Sequence, residues 1–194
     1  MRSRKKAGGM AGQPAAARRV ALAGLLTALA LALAYLEALF PLQAVIPLPG
    51  IRLGLANIVT LMALLGLGRR EAFAILTARC VLQALLFGSV TSFCFSISGG
   101  LLAMLTMALL AGGHGRWFSV IGLSAAGAAG HQIGQLCCAA VFFGTAAVFS
   151  YLPFLLLAGV ISGCLTGVCC GLLLPRLERM ALARSREPRK REER

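Results

Sequence analysis

The chemistry available to this chain lies mainly in a few polar side chains set within very apolar sequence. Arg79 and Gln83 are four residues apart, as are His131 and Gln135, so the members of each pair share one face of a helix. A cation at the middle of a bilayer is costly unless it faces a partner or a cavity. The two pairs therefore predict a binding site for an anionic or strongly polar ligand.

Four further polar residues are assigned to the same site. Glu37 and Arg52 mark its outer rim, Asn57 lies about two helical turns below the outer surface, and Gln132 stands beside His131. The predicted substrate-binding set is Glu37, Arg52, Asn57, Arg79, Gln83, His131, Gln132 and Gln135.

Structural roles for these residues are the alternative. Asn57, Gln83 and Gln135 could each hydrogen-bond a neighbouring helix. Arg79 could be satisfied by backbone carbonyls, and Glu37 could pair with Arg52. No catalytic and no metal-ligating residues are predicted, and no cofactor is expected.

The elements that carry these residues are predicted to be membrane-spanning helices. Hydrophobic residues make up 59% of the chain and mean hydropathy is +0.86, a composition that cannot cover a soluble fold. A span needs about 20 apolar residues, and Pro and Gly mark the breaks. The sequence predicts an all-α polytopic membrane protein with six transmembrane helices, at residues 20–40, 51–68, 71–87, 90–111, 117–143 and 151–174.

Basic residues set the predicted orientation. With both termini in the cytoplasm, 17 of the 19 Lys and Arg residues lie inside, as the positive-inside rule favours. Residues 1–19 form a basic, disordered N-tail, residues 20–175 the transmembrane domain, and residues 176–194 a basic cytoplasmic C-tail. The net charge of +13 then reflects topology and contact with membrane lipid, and nucleic acid is not an expected partner.

Two other readings remain open at this stage. The N-terminus could be a cleaved signal peptide, although its apolar run is long for one. The seven cysteines fall inside predicted spans without a CxxC pair, which favours packing over metal or redox chemistry.

The sequence lacks residues that two enzyme classes need for catalysis. The sequence has no Asp, and its apolar domain has no Lys. A P-loop needs a Lys that reaches the phosphates, and the aspartate-rich motifs of prenyl diphosphate synthases hold Mg²⁺ through carboxylates. We therefore expect this chain alone neither to hydrolyse ATP through a P-loop nor to catalyse prenyl transfer through an aspartate-bound Mg²⁺.

Stripes of small residues predict how the helices meet, because small side chains let helix backbones approach closely. One such stripe, at four-residue spacing, predicts internal packing of the sixth span or, alternatively, a partner contact; the fifth span has a similar stripe. The members are Gly159, Gly163, Gly167 and Gly171 in the sixth span, and Gly122, Ala126, Gly130 and Gly134 in the fifth.

A family resemblance rests on four segments: residues 49–61 (PGIRLGLANIVTL) followed by Arg79, residues 86–89 (LFGS), residues 98–100 (SGG) and residues 130–136 (GHQIGQL). Over residues 20–175 the chain resembles the bacterial Gx transporter family, which is also labelled heptaprenyl diphosphate synthase component I. That family is similar to the substrate-binding S components of energy-coupling-factor transporters.

The resemblance implies a six-helix S-component-like bundle in the bacterial cytoplasmic membrane, with residues 41–50 as an outer lid. It also implies a transmembrane coupling subunit and ATPase subunits as partners. By position, Gly24, Ala28 and Ala32 of the first span would dock the coupling subunit.

Two functions follow from the resemblance. The first is a binding subunit for ATP-driven uptake of a small polar or anionic nutrient, and it is the one that we favour on mechanism. The alternative is a non-catalytic membrane component of a heptaprenyl or polyprenyl diphosphate synthase, with a soluble synthase subunit as its partner.

Overall fold

The computed structural model describes residues 13–39, 52–113, 115 and 117–182. Its α-helices are α1 (Gln13–Leu39), α2 (Asn57–Gly66), α3 (Arg69–Phe87), α4 (Val90–Leu110), α5 (Val120–Phe143) and α6 (Leu152–Leu182). Two short 3₁₀ segments, Ala111–Gly113 and Ala146–Tyr151, follow α4 and precede α6. The fold is all-helical, as predicted. The predicted lid at residues 41–50 and the outer parts of both tails lie outside the described residues.

Local sequence explains several helix ends. Ser89 and Ser119 cap α4 and α5, each accepting a backbone N–H from the first turn at 3.1 Å. The close join between α3 and α4 falls at residues 87–90, where it was predicted. Gly144 ends α5 in the left-handed conformation, with φ of 65°, which suits glycine.

Three predicted helix boundaries are wrong. Helix α1 begins at Gln13 rather than at residue 20, so the last seven residues of the predicted disordered N-tail are helical. Helix α6 does not stop at Pro175 but continues to Leu182. Pro175 and Gly171 are exposed, so water or lipid headgroups can meet the Gly171 carbonyl that loses its N–H partner. The second span was predicted over residues 51–68, whereas α2 has only 10 residues and begins at Asn57.

Helix α2 is the centre of the bundle. It contacts the other five helices, and eight of its 10 residues are buried. At about 1.5 Å per residue it is about 15 Å long, half the thickness of the hydrocarbon layer. It therefore cannot cross a membrane alone, and its sequence, apolar except at Asn57 and Thr60, suits its buried position.

Helix α5 lies between α4 and α6, and glycines allow both contacts. A methyl group added at Gly134 would lie 2.6 Å from the Ser98 carbonyl oxygen in α4. On the other side, methyl groups at Gly163 and Gly167 of α6 would lie 2.8 and 2.7 Å from Cα atoms of α5. The predicted internal packing of the sixth-span stripe is confirmed at these positions. Gly171, at the end of the stripe, faces open space.

Three described helical segments are long and apolar enough to cross a membrane: Arg19–Leu39, Val90–Gly113 and Ala146–Arg176. Large apolar side chains are exposed around the bundle, among them Val90, Leu109 and Val141, as expected for a lipid-facing surface. The other helices are short, charged or rich in amides. The complete set of six spans and its orientation remain predictions.

One end of the bundle carries Arg19 and Arg69. Arg19 in α1 lies 3.6 Å from Glu71 in α3, and Arg69 Nη2 donates to the Ala108 carbonyl near the end of α4 at 3.2 Å. The starts of α1 and α3 and the end of α4 therefore share this end. Glu37 and Gln83, near the ends of α1 and α3, belong to the opposite half.

Candidate functional site

The predicted site residues meet in one cluster in that opposite half of the bundle. Seven of the eight are buried, with exposed fractions between 0 and 7%, and Arg52 is partly buried. They come from α1, α2, α3, α5 and the segment that precedes α2. The buried members are Glu37, Asn57, Arg79, Gln83, His131, Gln132 and Gln135.

Two glutamines of α5 hold the backbone of Arg52. The Arg52 N–H donates to Gln135 Oε1 at 3.0 Å, and Gln135 Nε2 donates back to the Arg52 carbonyl at 3.1 Å. Gln132 Nε2 donates to the same carbonyl at 3.2 Å. These side chains take the place of the missing helical hydrogen bonds, which a buried backbone needs. We call this arrangement the glutamine clamp.

Gly54 explains why the helix does not begin earlier. Its φ of 86° lies in the left-handed region, which glycine adopts readily. Its N–H donates to Glu37 Oε1 at 2.6 Å. A methyl group there would lie 2.8 Å from Asn57 Nδ2 and 2.9 Å from the ring of His131. Glycine is thus required both for the backbone conformation and for the close contact.

The Arg52 side chain is held by neutral acceptors. Its guanidinium donates to the Ala34 carbonyl at 3.3 Å and to Ser92 Oγ at 3.0 Å. The amide orientation of Gln83 that satisfies its neighbours places Oε1 3.0 Å from Arg52 Nη1 and 3.1 Å from Ser96 Oγ. Within the described residues Glu37 makes no ion pair with Arg52, so that proposed pairing is wrong, and the carboxylate binds the backbone instead.

Several buried polar atoms of the cluster have no hydrogen-bond partner among the described residues. They are Nε and Nη2 of Arg79, Nδ2 and Oδ1 of Asn57, Nδ1 of His131 and Oε1 of Gln132. Carbonyl oxygens of the described residues therefore do not satisfy Arg79 at these nitrogens. Each unpaired buried group costs about 1–3 kcal/mol, and such groups in a native fold call for a missing partner.

Small residues bring the polar groups together. A methyl group at Gly99 would lie 2.8 Å from His131 Nδ1, and one at Gly100 would lie 3.3 Å from Arg79 Nη2. One at Gly159 would lie 2.9 Å from Gln132 Cγ. Gly159 was predicted only to pack helices. Sequence reasoning also missed the buried Ser92 and Ser96, although their four-residue spacing in α4 was an available signal.

The predicted docking residues lie on the opposite face of α1 from the cluster. Gly24, Ala28 and Ala32 are exposed, while Ala30 and Ala34 are fully or almost fully buried. We call the exposed stripe the α1 outer face. It is open to a partner, but its function as a docking surface remains a prediction.

A separate apolar groove of about 550 Å³ lies between α4 and α5 and includes Cys94, Cys137 and Cys138. All seven cysteines are free. Within the described residues no group of three or more His, Cys, Asp or Glu side chains could hold a metal ion.

The fold and the cluster together define a class: a helical membrane protein with a buried, cationic polar site in one half of its bundle. The chain belongs to the heptaprenyl diphosphate synthase component I family, whose model matches residues 26–173. No curated protein and no solved structure matches the chain. The family name agrees with the alternative function drawn from the sequence, whereas nothing in the comparisons tests transport.

Proposed function

We propose that this protein is a membrane-embedded binding subunit for a small polar or anionic ligand, and that it serves ATP-driven uptake with separate coupling subunits. One observation carries the proposal: buried polar atoms of Arg79, Asn57, His131 and Gln132 lack partners in the described residues. A bound ligand would supply those partners.

The energetics favour a ligand over a purely structural role. Leaving Arg79 and Asn57 unpaired would cost several kcal/mol at about 1–3 kcal/mol per group. Replacement by apolar residues would remove that cost, because packed apolar groups often replace buried charges without loss of stability. A ligand that pairs with these groups recovers the cost as binding free energy. The site therefore suits selective binding.

The energy for uptake would come from other subunits. The sequence has no P-loop, since its only lysines are Lys5, Lys6 and Lys190. The exposed α1 outer face offers small residues to which a coupling subunit could pack closely. With basic residues on the cytoplasmic side, the cluster would lie in the outer half of the bacterial cytoplasmic membrane.

A second function has its own support. The family name favours a non-catalytic membrane component of a heptaprenyl diphosphate synthase system over transport. In that case a soluble synthase subunit would carry the Mg²⁺-binding carboxylates, because this chain has no Asp. The cluster would then bind a ligand of that system.

Substitution of Arg79 by Gln tests ligand binding. The protein would be purified from native membranes, and its bound small molecules would be identified by mass spectrometry. Arg79→Gln should lose the bound molecule while still inserting and folding. Arg70→Gln, an exposed position on the same helix, is the matched control and should retain it. Equal retention by both variants would refute the binding role of Arg79.

Partner capture distinguishes the two functions. Mild extraction of the tagged protein from native membranes should recover coupling and ATPase subunits if it serves uptake. Recovery of a prenyl synthase without ATPases would instead establish the second function.

A further inference from the structure

We infer that the site selects a ligand with a single negative charge that carries at least one hydrogen-bond donor as well as acceptors. The inference rests on the proposed binding function and specifies the ligand's chemistry. It follows from the balance of charges around the cluster and from the identity of the unpaired atoms.

Three charged side chains belong to the cluster. Arg52 and Arg79 each carry +1. We assign −1 to Glu37, because its Oε1 accepts the Gly54 N–H and two guanidinium groups share the cluster, and both features favour the charged carboxylate. Two other glutamates belong to the described helices. Glu71 lies at the opposite end beside Arg19, and Glu178 lies in α6, 11 residues beyond the Gly167 contact with the start of α5. Residues 40–51 contain no charged residue, so the connecting segment cannot change the sum. The charged side chains thus leave an excess of +1.

His131 adds no charge to this sum. The backbone of Arg52 fixes the orientation of Gln135, because the Arg52 N–H must face Oε1. Gln135 Nε2 is then a donor toward His131 Nε2. That ring nitrogen must accept, so the imidazole is neutral and carries its proton on Nδ1.

The unpaired atoms specify the rest of the ligand. Arg79 Nε and Nη2 and Asn57 Nδ2 are donors, and they require acceptor atoms. Asn57 Oδ1 and Gln132 Oε1 are acceptors without a partner in the described part of the chain, and they require a donor on the ligand. A hydroxylated or amidated monocarboxylate has both. Inorganic diphosphate carries several negative charges, and one excess cation cannot neutralise it in a medium of low dielectric constant.

A series of small probes at constant ionic strength tests the inference through the thermal unfolding midpoint in detergent. Glycolamide is neutral and hydroxylated, and glycolate is the monoanion with a carboxylate in place of the amide. Acetate lacks the hydroxyl, and malonate and inorganic diphosphate carry more charge. Glycolate should raise the midpoint most, with acetate next. Arg79→Met should weaken the apparent affinity for glycolate by roughly tenfold or more, as expected for a lost charged hydrogen bond.

Glu37→Gln provides the sharpest comparison, because it raises the excess charge to +2 and retains an oxygen for the Gly54 N–H. The preference should shift from glycolate toward malonate. Glu71→Gln, the same change at the other end of the bundle, should leave the preference unchanged.

The outcomes distinguish the single-charge inference from the proposed binding function. Strongest stabilisation by glycolamide, malonate or diphosphate would overturn the single-charge inference but leave a ligand site in place. Equal stabilisation of the wild type and Arg79→Met by every probe would overturn the inference and the proposed function together. If Glu37→Gln did not fold, the Arg79→Met comparison would still decide.

Discussion

The glutamine clamp gives a quantitative prediction, because its two members make unequal contributions. Replacing Gln135 by Leu removes the acceptor of the Arg52 N–H and one of two donors to its carbonyl. It also removes the Gln135 amide from His131. A buried donor left without a partner costs about 1–3 kcal/mol. We expect Gln135→Leu to lower the free energy of unfolding by about 2–3 kcal/mol.

Gln132→Leu is the matched control, because it makes the same chemical change about one helical turn earlier in α5. Gln132 donates only to the Arg52 carbonyl, which would keep its bond from Gln135. Its own Oε1 is buried and unpaired, so removing that atom offsets part of the loss. The expected destabilisation is below about 1 kcal/mol.

Reversible unfolding of both purified variants in mixed detergent micelles, titrated with SDS, would measure the difference. The two substitutions should also be non-additive in the double variant, because they share the Arg52 carbonyl. If Gln132→Leu lowered the free energy of unfolding as much as Gln135→Leu, or if the two losses were additive, the segment before α2 would be held by something other than these hydrogen bonds.

Three further predictions concern topology, docking and packing. In a cysteine-free background, an external thiol reagent should label single cysteines placed at residues 41–50 and should not label cysteines in either tail. External labelling of the C-tail would contradict the predicted orientation. Ala28→Trp on the α1 outer face should abolish partner capture and uptake but retain ligand binding, whereas Leu165→Trp, also exposed, should change neither. Gly163→Ala should destabilise by about 1–3 kcal/mol through overpacking, because a methyl there would lie 2.8 Å from α5. Gly171→Ala, in open space on the same helix, should be neutral or stabilising, and equal effects of the two would contradict the packing described for α6.

Helix positions were largely predictable because the length of an apolar run and the residues that break or cap a helix are local features of the sequence. The ends at Phe87 and Val90 follow from Gly88 and from the Ser89 cap. The apolar run of residues 51–68 gave no sign that residues 52–56 are not helical. That conformation depends on hydrogen bonds from Gln135, 83 residues away, and no local pattern records such a contact.

The residues of the site were predictable because polar side chains within an apolar span are energetically costly unless they meet other polar groups. A mid-span Arg79 or His131 needs a polar environment, and the bundle places them together. Their individual partners were not predictable. Glu37 accepts a backbone N–H rather than pairing with a guanidinium, because Gly54 brings the chain against it in a conformation that the sequence alone does not fix.

The glutamine clamp has a consequence for the timing of biosynthesis. Gln135 follows Arg52 by 83 residues, so at about 5–20 residues per second the ribosome adds it roughly 4–17 s later. Until then the clamp cannot form, and the Arg52 backbone N–H and carbonyl must hydrogen-bond to water or to other protein groups. Helix α2 is also too short to cross the bilayer alone. The centre of the finished bundle therefore waits for a later part of the chain before its own hydrogen bonds are complete.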